Sequence, residues 1–167
     1  MNKKIWNTNG KKQSNEVAAF LAGEDIELDK SIFIYDIQAS IAHVNNLFSI
    51  GIIKKGESTK IIKSLKDLKK KFQEGSFKLT NKYEDCHSAI EFYLTKELGE
   101  LGKKVHTGRS RNDQVIVAMR LFAKQNLINF KIENKLVAKT FLKLAKKHEN
   151  HQMPGYTHLQ RAMPSSW

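Results

Sequence analysis

NDQVIVAMRLFAKQNLINFKIENKLVAKTFLKLAKKHEN, residues 112–150, runs for 39 positions without a glycine or a proline. Ser110, followed three residues later by Asp113, is a capping-box pattern, and Gly108 lies just upstream. The stretch predicts one long helix. At 1.5 Å per residue it would measure about 58 Å, whereas a compact domain of 167 residues is about 40 Å across. Val115, Met119, Phe122, Leu127, Phe130, Leu136, Val137, Phe141 and Leu144 spread its apolar surface over a wide arc. Such an arc needs several helical neighbours, and the rest of the chain is too short to supply them. The helix is expected either to be broken or to find partners in other subunits or in sequence beyond these residues.

Working outward, the preceding chain also reads as helical. The two prolines, Pro154 and Pro164, both lie near the C-terminal end, so residues 1–153 contain none to break a helix. Ile61, Leu65, Leu68 and Phe72 recur at +4, +3, +4, as one face of a helix does, and Ile90, Leu94 and Leu98 repeat the pattern. Glycines at 51, 56, 75, 99, 102 and 108 suggest loops between such stretches. Few segments alternate with period two. The expected fold class is all-α: a small helical domain over 1–110, then the first long helix of a multi-helix bundle over 111–167, truncated.

The formal charge of +12 comes from 29 Lys+Arg against 17 Asp+Glu. Lysine supplies most of it, much of it at helical positions such as Lys60, Lys63, Lys66 and Lys70, which reads as a solvated surface. No nucleic-acid partner is expected on that ground. The four arginines, Arg109, Arg111, Arg120 and Arg161, all lie in the second half. A guanidinium binds carboxylates as a fork, so this restriction hints at an acidic small molecule. One cysteine, Cys86, excludes an internal disulfide. No secretory leader and no apolar run of about 18 residues is readable, so a cytoplasmic protein without a membrane partner is expected.

Four stretches are rich in groups that bind anions or move protons. In Asp36-Ile37-Gln38-Ala39-Ser40-Ile41-Ala42-His43, Asp36, Ser40 and His43 share a helical face, as part of a site or as a polar core network or helix cap. In Glu84-Asp85-Cys86-His87-Ser88-Ala89-Ile90-Glu91, Asp85 is a candidate N-cap, and His87 and Glu91 share a face at i and i+4. Two such groups without a further cluster do not make a metal site. His106-Thr107-Gly108-Arg109-Ser110-Arg111-Asn112-Asp113-Gln114 opens the long helix. A helix N-terminus exposes free N–H groups, and with Ser110, Asn112 and two arginines it suits a carboxylate or phosphate. In Pro154-Gly155-Tyr156-Thr157-His158-Leu159-Gln160-Arg161-Ala162-Met163-Pro164, a loop is expected to present Thr157, His158, Gln160 and Arg161, with Pro164 opening another helix. Imidazole can change charge around neutral pH, which makes His158 a candidate general acid or base.

Taken together and in this order, the four stretches resemble argininosuccinate lyase, a family of the fumarate lyase/aspartase superfamily. The third is highly specific: related lyases acting on adenylosuccinate, aspartate or fumarate/malate do not normally carry the full string. The resemblance covers about Trp6 to Trp167. It implies reversible β-elimination of argininosuccinate to arginine and fumarate, the last step of arginine biosynthesis, with no cofactor and no metal. It implies that His158 is the acid/base histidine, that Asn112 and Thr157 bind substrate, and that Ser110 and Arg111 line the same carboxylate site. Asp85 and His87 would form a second polar wall. Asp29 matches within Gly23-Glu24-Asp25-Ile26-Glu27-Leu28-Asp29, which aligns with a substrate-contacting N-terminal loop. The chain departs from the family pattern at Asp25, where many members have serine, and after Trp6, where Asn7-Thr8-Asn9 replaces Gly-Gly-Arg-Phe. The family is homotetrameric, and its active sites combine segments of three subunits. A Gly-Ser-Ser-rich loop with the catalytic serine, and a substrate-binding lysine, lie in a further part of the family's sequence that these 167 residues do not contain. The expectation is thus a chain incomplete as an isolated enzyme, or alternatively a catalytically inactive truncated subunit acting as a helical interaction module.

Overall fold

The computed structural model describes residues 24–166, so the expectations for Trp6, Gly23 and Trp167 lie outside the described residues. The fold is helical, as expected. Helix α1 spans Asp25–Ser49, α2 Lys55–Gln73, α3 Cys86–Leu98, α4 Glu100–Lys103 and α5 Arg111–His148, with a 3-10 turn at Lys104–His106. The chain forms two compact units, the first ending at Phe122 and the second beginning at Ala123.

In the first unit, α1, α2 and α3 pack around one core. On α1 the buried residues Phe33, Ile37, Val44 and Leu47 keep helical spacing. The α2 stripe read from the sequence is buried at Ile61, Leu65 and Leu68, while Lys60, Lys63, Lys66 and Lys70 are exposed. Ile90 and Leu94 bring α3 into the same cluster. Phe33 joins the connections to the core through ring contacts with Phe72 at 4.6 Å and Phe77 at 5.8 Å. The turn after α3 is tight. A Cβ on Gly102 would run into the backbone of Leu94 and Thr95, so α4 can lie back against α3 only with glycine there.

Two local expectations change. Residues 25–29 form the first turn of α1 rather than a loop, and Asp25 and Glu27 suit that turn because carboxylates favour the positive end of a helix. Pro164 does not open a helix. The next two residues, Ser165–Ser166, form a short strand, β4, paired antiparallel with β1, Gln152–Met153. That pairing is non-local and leaves no local trace in the sequence.

The long helix α5 starts and ends within two residues of the sequence reading and runs unbroken for 38 residues. Gln114 and Ala118 are buried, and Phe122 meets Tyr35 edge-on at 5.8 Å. From Ala123 to Lys147 every residue is exposed. The second unit then closes on a small hairpin, β2 (Tyr156–Thr157) with β3 (Gln160–Arg161). Among the described residues, no helix is long and apolar enough to cross a membrane.

Candidate functional site

In the first unit the polar residues collect where α3 and α5 begin. Asp85 caps α3, its Oδ1 accepting the Ser88 backbone N–H at 2.7 Å. Asp29 reaches across from α1, and its Oδ2 accepts the Cys86 N–H at 2.8 Å. Two carboxylates thus satisfy two of the free N–H groups of one helix end. Burial nevertheless holds the Asp29 carboxyl above the usual carboxylate range, against the opposing pull of the Cys86 N–H. Arg111, the first residue of α5, closes on the same cap. Its Nη1 donates to Asp85 Oδ1 at 2.8 Å and its Nη2 to Ser88 Oγ at 3.1 Å.

Behind this lies a buried network along one face of α1. Asp36 is fully buried, and its Oδ2 lies 2.6 Å from Nδ1 of His87, itself 2% exposed. Ser40 Oγ accepts from Arg109 Nη2 at 3.3 Å, and Arg109 also donates to the Val105 carbonyl at 2.9 Å. His43 Nε2 lies 2.9 Å from the Thr107 carbonyl and donates to it. Burial pulls the Arg109 guanidinium below its usual value, and the nearby charges of Asp36 and Asp113 oppose this. Burial and the Arg109 charge likewise hold His43 below the usual imidazole range.

Asp36, Cys86 and His87 bring three possible metal ligands within 4.8 Å of one another. Their chemistry fits a hydrogen-bonded core better than an ion. Burial, followed by the charges of Asp36, Asp29 and Asp85, pushes the Cys86 thiol far up, away from the thiolate that a metal requires. The Asp36 carboxylate already receives His87 and balances the charge of Arg109.

The segment that opens α5 is therefore mostly clamped. His106 Nε2 sits 3.0 Å from Glu91 Oε2, which lowers the Glu91 carboxyl. Thr107, Arg109 and Arg111 are held as described. Ser110 and Asp113 form the expected reciprocal cap: the Ser110 N–H and hydroxyl both donate to Asp113 Oδ2, at 2.8 and 3.0 Å. These bonds hold the Asp113 carboxyl low. Asn112 stands in the first turn of α5 with its side chain exposed, and no described residue takes a hydrogen bond from it.

The structure thus gathers Asp29, Asp85, Ser110, Arg111 and Asn112 around two adjoining helix starts, and sets His87 behind them against Asp36. Sequence reading took both arginines as ligand groups. Arg109 instead serves as an internal clip, and Arg111 has a protein carboxylate already bound. The role of Asp29 as a second cap on α3 was also missed, because its partner lies 57 positions away.

In the second unit Thr157 and His158 lie on the β2–β3 hairpin. Thr157 pairs with Gln160, and His158 and Leu159 form the two-residue turn. Their φ angles, +49° and +64°, are both left-handed, as a type I′ turn demands. Neither residue has glycine's freedom there, and such outliers gather at functional positions. Leu159 at the tip is 98% exposed, so packing does not explain its identity.

Residues 12–167 match the family described as lyase. Over 162 residues, 97% of this chain, it is 44% identical to the argininosuccinate lyases of Stenotrophomonas maltophilia (strain K279a) and Xylella fastidiosa (strain 9a5c). It spans 38% and 36% of their lengths, respectively. A match over almost the whole described chain, including the helix starts and the hairpin, leaves one assignment: the chain belongs to the lyase family, and it is similar to argininosuccinate lyases.

Proposed function

We propose that this chain supplies part of the active site of an argininosuccinate lyase, cleaving argininosuccinate to arginine and fumarate in arginine biosynthesis, in the cytoplasm and as a homotetramer. The relatives of that name support the reading. The structural observation that carries it is the clamped start of α5, which leaves Asn112 facing outward beside the helix's free N–H groups. Such an end stabilises negative charge. Elimination needs that: removing a proton next to a carboxylate builds a dianionic intermediate, which fixed N–H donors and cations stabilise. In the assembled enzyme Asn112 and Thr157 bind the substrate, Ser110 lines the same carboxylate site while holding Asp113, and Arg111 adds charge shared with Asp85. Asp29 and Asp85 form a second polar wall, with His87 behind it. His158 moves a proton, either the C–H proton or the one the departing guanidino nitrogen needs.

The chain spans little over a third of its relatives' length, so activity is expected of an assembly that contains the remainder. The test is co-expression of this chain with the part of the Stenotrophomonas lyase that it does not cover, with fumarate release followed by absorbance. Turnover in the mixture, lost on Asn112→Ala or His158→Asn, supports the reading. Turnover unchanged by both substitutions overturns it. The exposed apolar length of α5 favours a second reading, an inactive helical interaction module. That reading predicts association with the complementary part without turnover.

A further inference from the structure

We infer that Asp36 is a positioning residue, whose buried carboxylate fixes the ring of His87. Its value for catalysis rests on the lyase reading above; its structural part does not.

One face of α1 carries Asp36, Ser40 and His43, and each holds a different piece of the site. Asp36 takes His87 of α3 at 2.6 Å. Ser40 takes Arg109 at 3.3 Å, and His43 takes the Thr107 carbonyl at 2.9 Å. The stripe therefore sets α3, which carries Asp85, against the segment that delivers Arg111 and Asn112. Asp36 is the one charged member of the stripe without exposure.

A carboxylate can only accept, so the proton of this contact sits on His87 Nδ1. That choice orients the imidazole and directs Nε2 away from Asp36. A buried carboxylate is costly unless its charge is balanced, and the Arg109 guanidinium supplies the balance. The second oxygen, Oδ1, is buried with no hydrogen-bond partner among the described residues, and so is Arg109 Nε. Catalytic histidines oriented by a buried carboxylate show the same division of labour.

The test is nitrogen NMR of the full chain with labelled histidines, reading which ring nitrogen of His87 carries the proton. The Nδ1–H form is expected, and Asp36→Asn should shift His87 toward Nε2–H. An Nε2–H ring in the unsubstituted chain overturns the inference, and that measurement decides even if the variant does not fold. So does a tautomer that Asp36→Asn leaves unchanged. In the active assembly, Asp36→Asn should lower kcat by about tenfold or more with KM nearly constant, and Asp36→Glu should restore part of it. A pure KM effect, or loss of stability without loss of kcat, would also overturn it. An assembly with no lyase activity at all would count against the functional reading while leaving the tautomer result standing.

Discussion

Arg111 and Asp85 begin two different helices and close on each other, with Nη1 2.8 Å from Oδ1. Asp85 uses that same oxygen to cap α3 at Ser88. One carboxylate thus anchors a helix start and docks a second helix to it. The pair is partly exposed, at 34% and 20%, so its ionic component is modest.

The two functions of Asp85 separate on substitution. Asp85→Asn keeps a capping oxygen and loses the charge, and it should cost well under about 1 kcal/mol. Asp85→Ala removes the cap as well and should cost about 1–2 kcal/mol. Urea midpoints of the three proteins measure this. Equal losses for Asn and Ala would show that the ion pair, not the cap, is what matters.

His43 makes stability depend on pH. Its folded value lies below 6.5, lowered first by burial and then by the Arg109 charge, while the bond to the Thr107 carbonyl works the other way. His106 adds a smaller repulsion. Below 6.5 the unfolded chain binds the proton more readily than the folded one, so stability falls as pH drops from 6.5 through the folded value and is flat above. His43→Gln should flatten that slope in urea titrations between about pH 5 and 8, roughly one to two units either side of the usual imidazole value. An identical slope in the variant would assign the dependence to another group.

What could be read ahead of the structure follows from the range of the interactions. The stripe of α2 was legible because a helix repeats its contact with the core every three or four residues, and the extent of α5 because its sequence holds no glycine or proline. The Ser110–Asp113 cap was legible because both partners lie within one turn. The Asp36–His87 contact was not, since its partners stand 51 positions apart. The partners of Arg109 and Arg111 were hidden for a different reason. Composition shows that a guanidinium is present, but whether it faces solvent or a protein carboxylate is settled by packing. The His158–Leu159 turn carries neither the Asn-Gly nor the Asp-Gly signal of a type I′ turn, so its left-handed geometry was hidden.

That turn gives a local prediction. A left-handed leucine costs about 1–2 kcal/mol, and Leu159, almost fully exposed, recovers none of it by packing. Leu159→Gly removes the cost, less about 0.5–1 kcal/mol for the added freedom of the unfolded chain. The net gain should slow amide exchange at Ala162, whose N–H is bonded to the Gly155 carbonyl at 2.8 Å, by up to about tenfold. Faster exchange in the variant would mean that the leucine stabilises the hairpin through contacts not seen here.

The exposed stretch of α5 makes the largest claim on a partner. Leu127 is 67% exposed, Phe130 63%, Leu136 66% and Phe141 67%. Monomeric proteins rarely leave so much contiguous apolar surface in water. A second copy of the chain can cover it, as the proposed homotetramer requires. Each large apolar side chain fully buried in such a contact contributes about 1.5–3 kcal/mol. Phe130→Glu with Phe141→Glu should therefore weaken self-association by about 3–6 kcal/mol, a factor of a hundred or more in Kd. Sedimentation equilibrium over a range of concentrations reads this directly. The unsubstituted chain should exceed its monomer mass and the double variant should return to it, with helix content unchanged by circular dichroism. A monomer at all concentrations before substitution would show that this surface waits for a different chain.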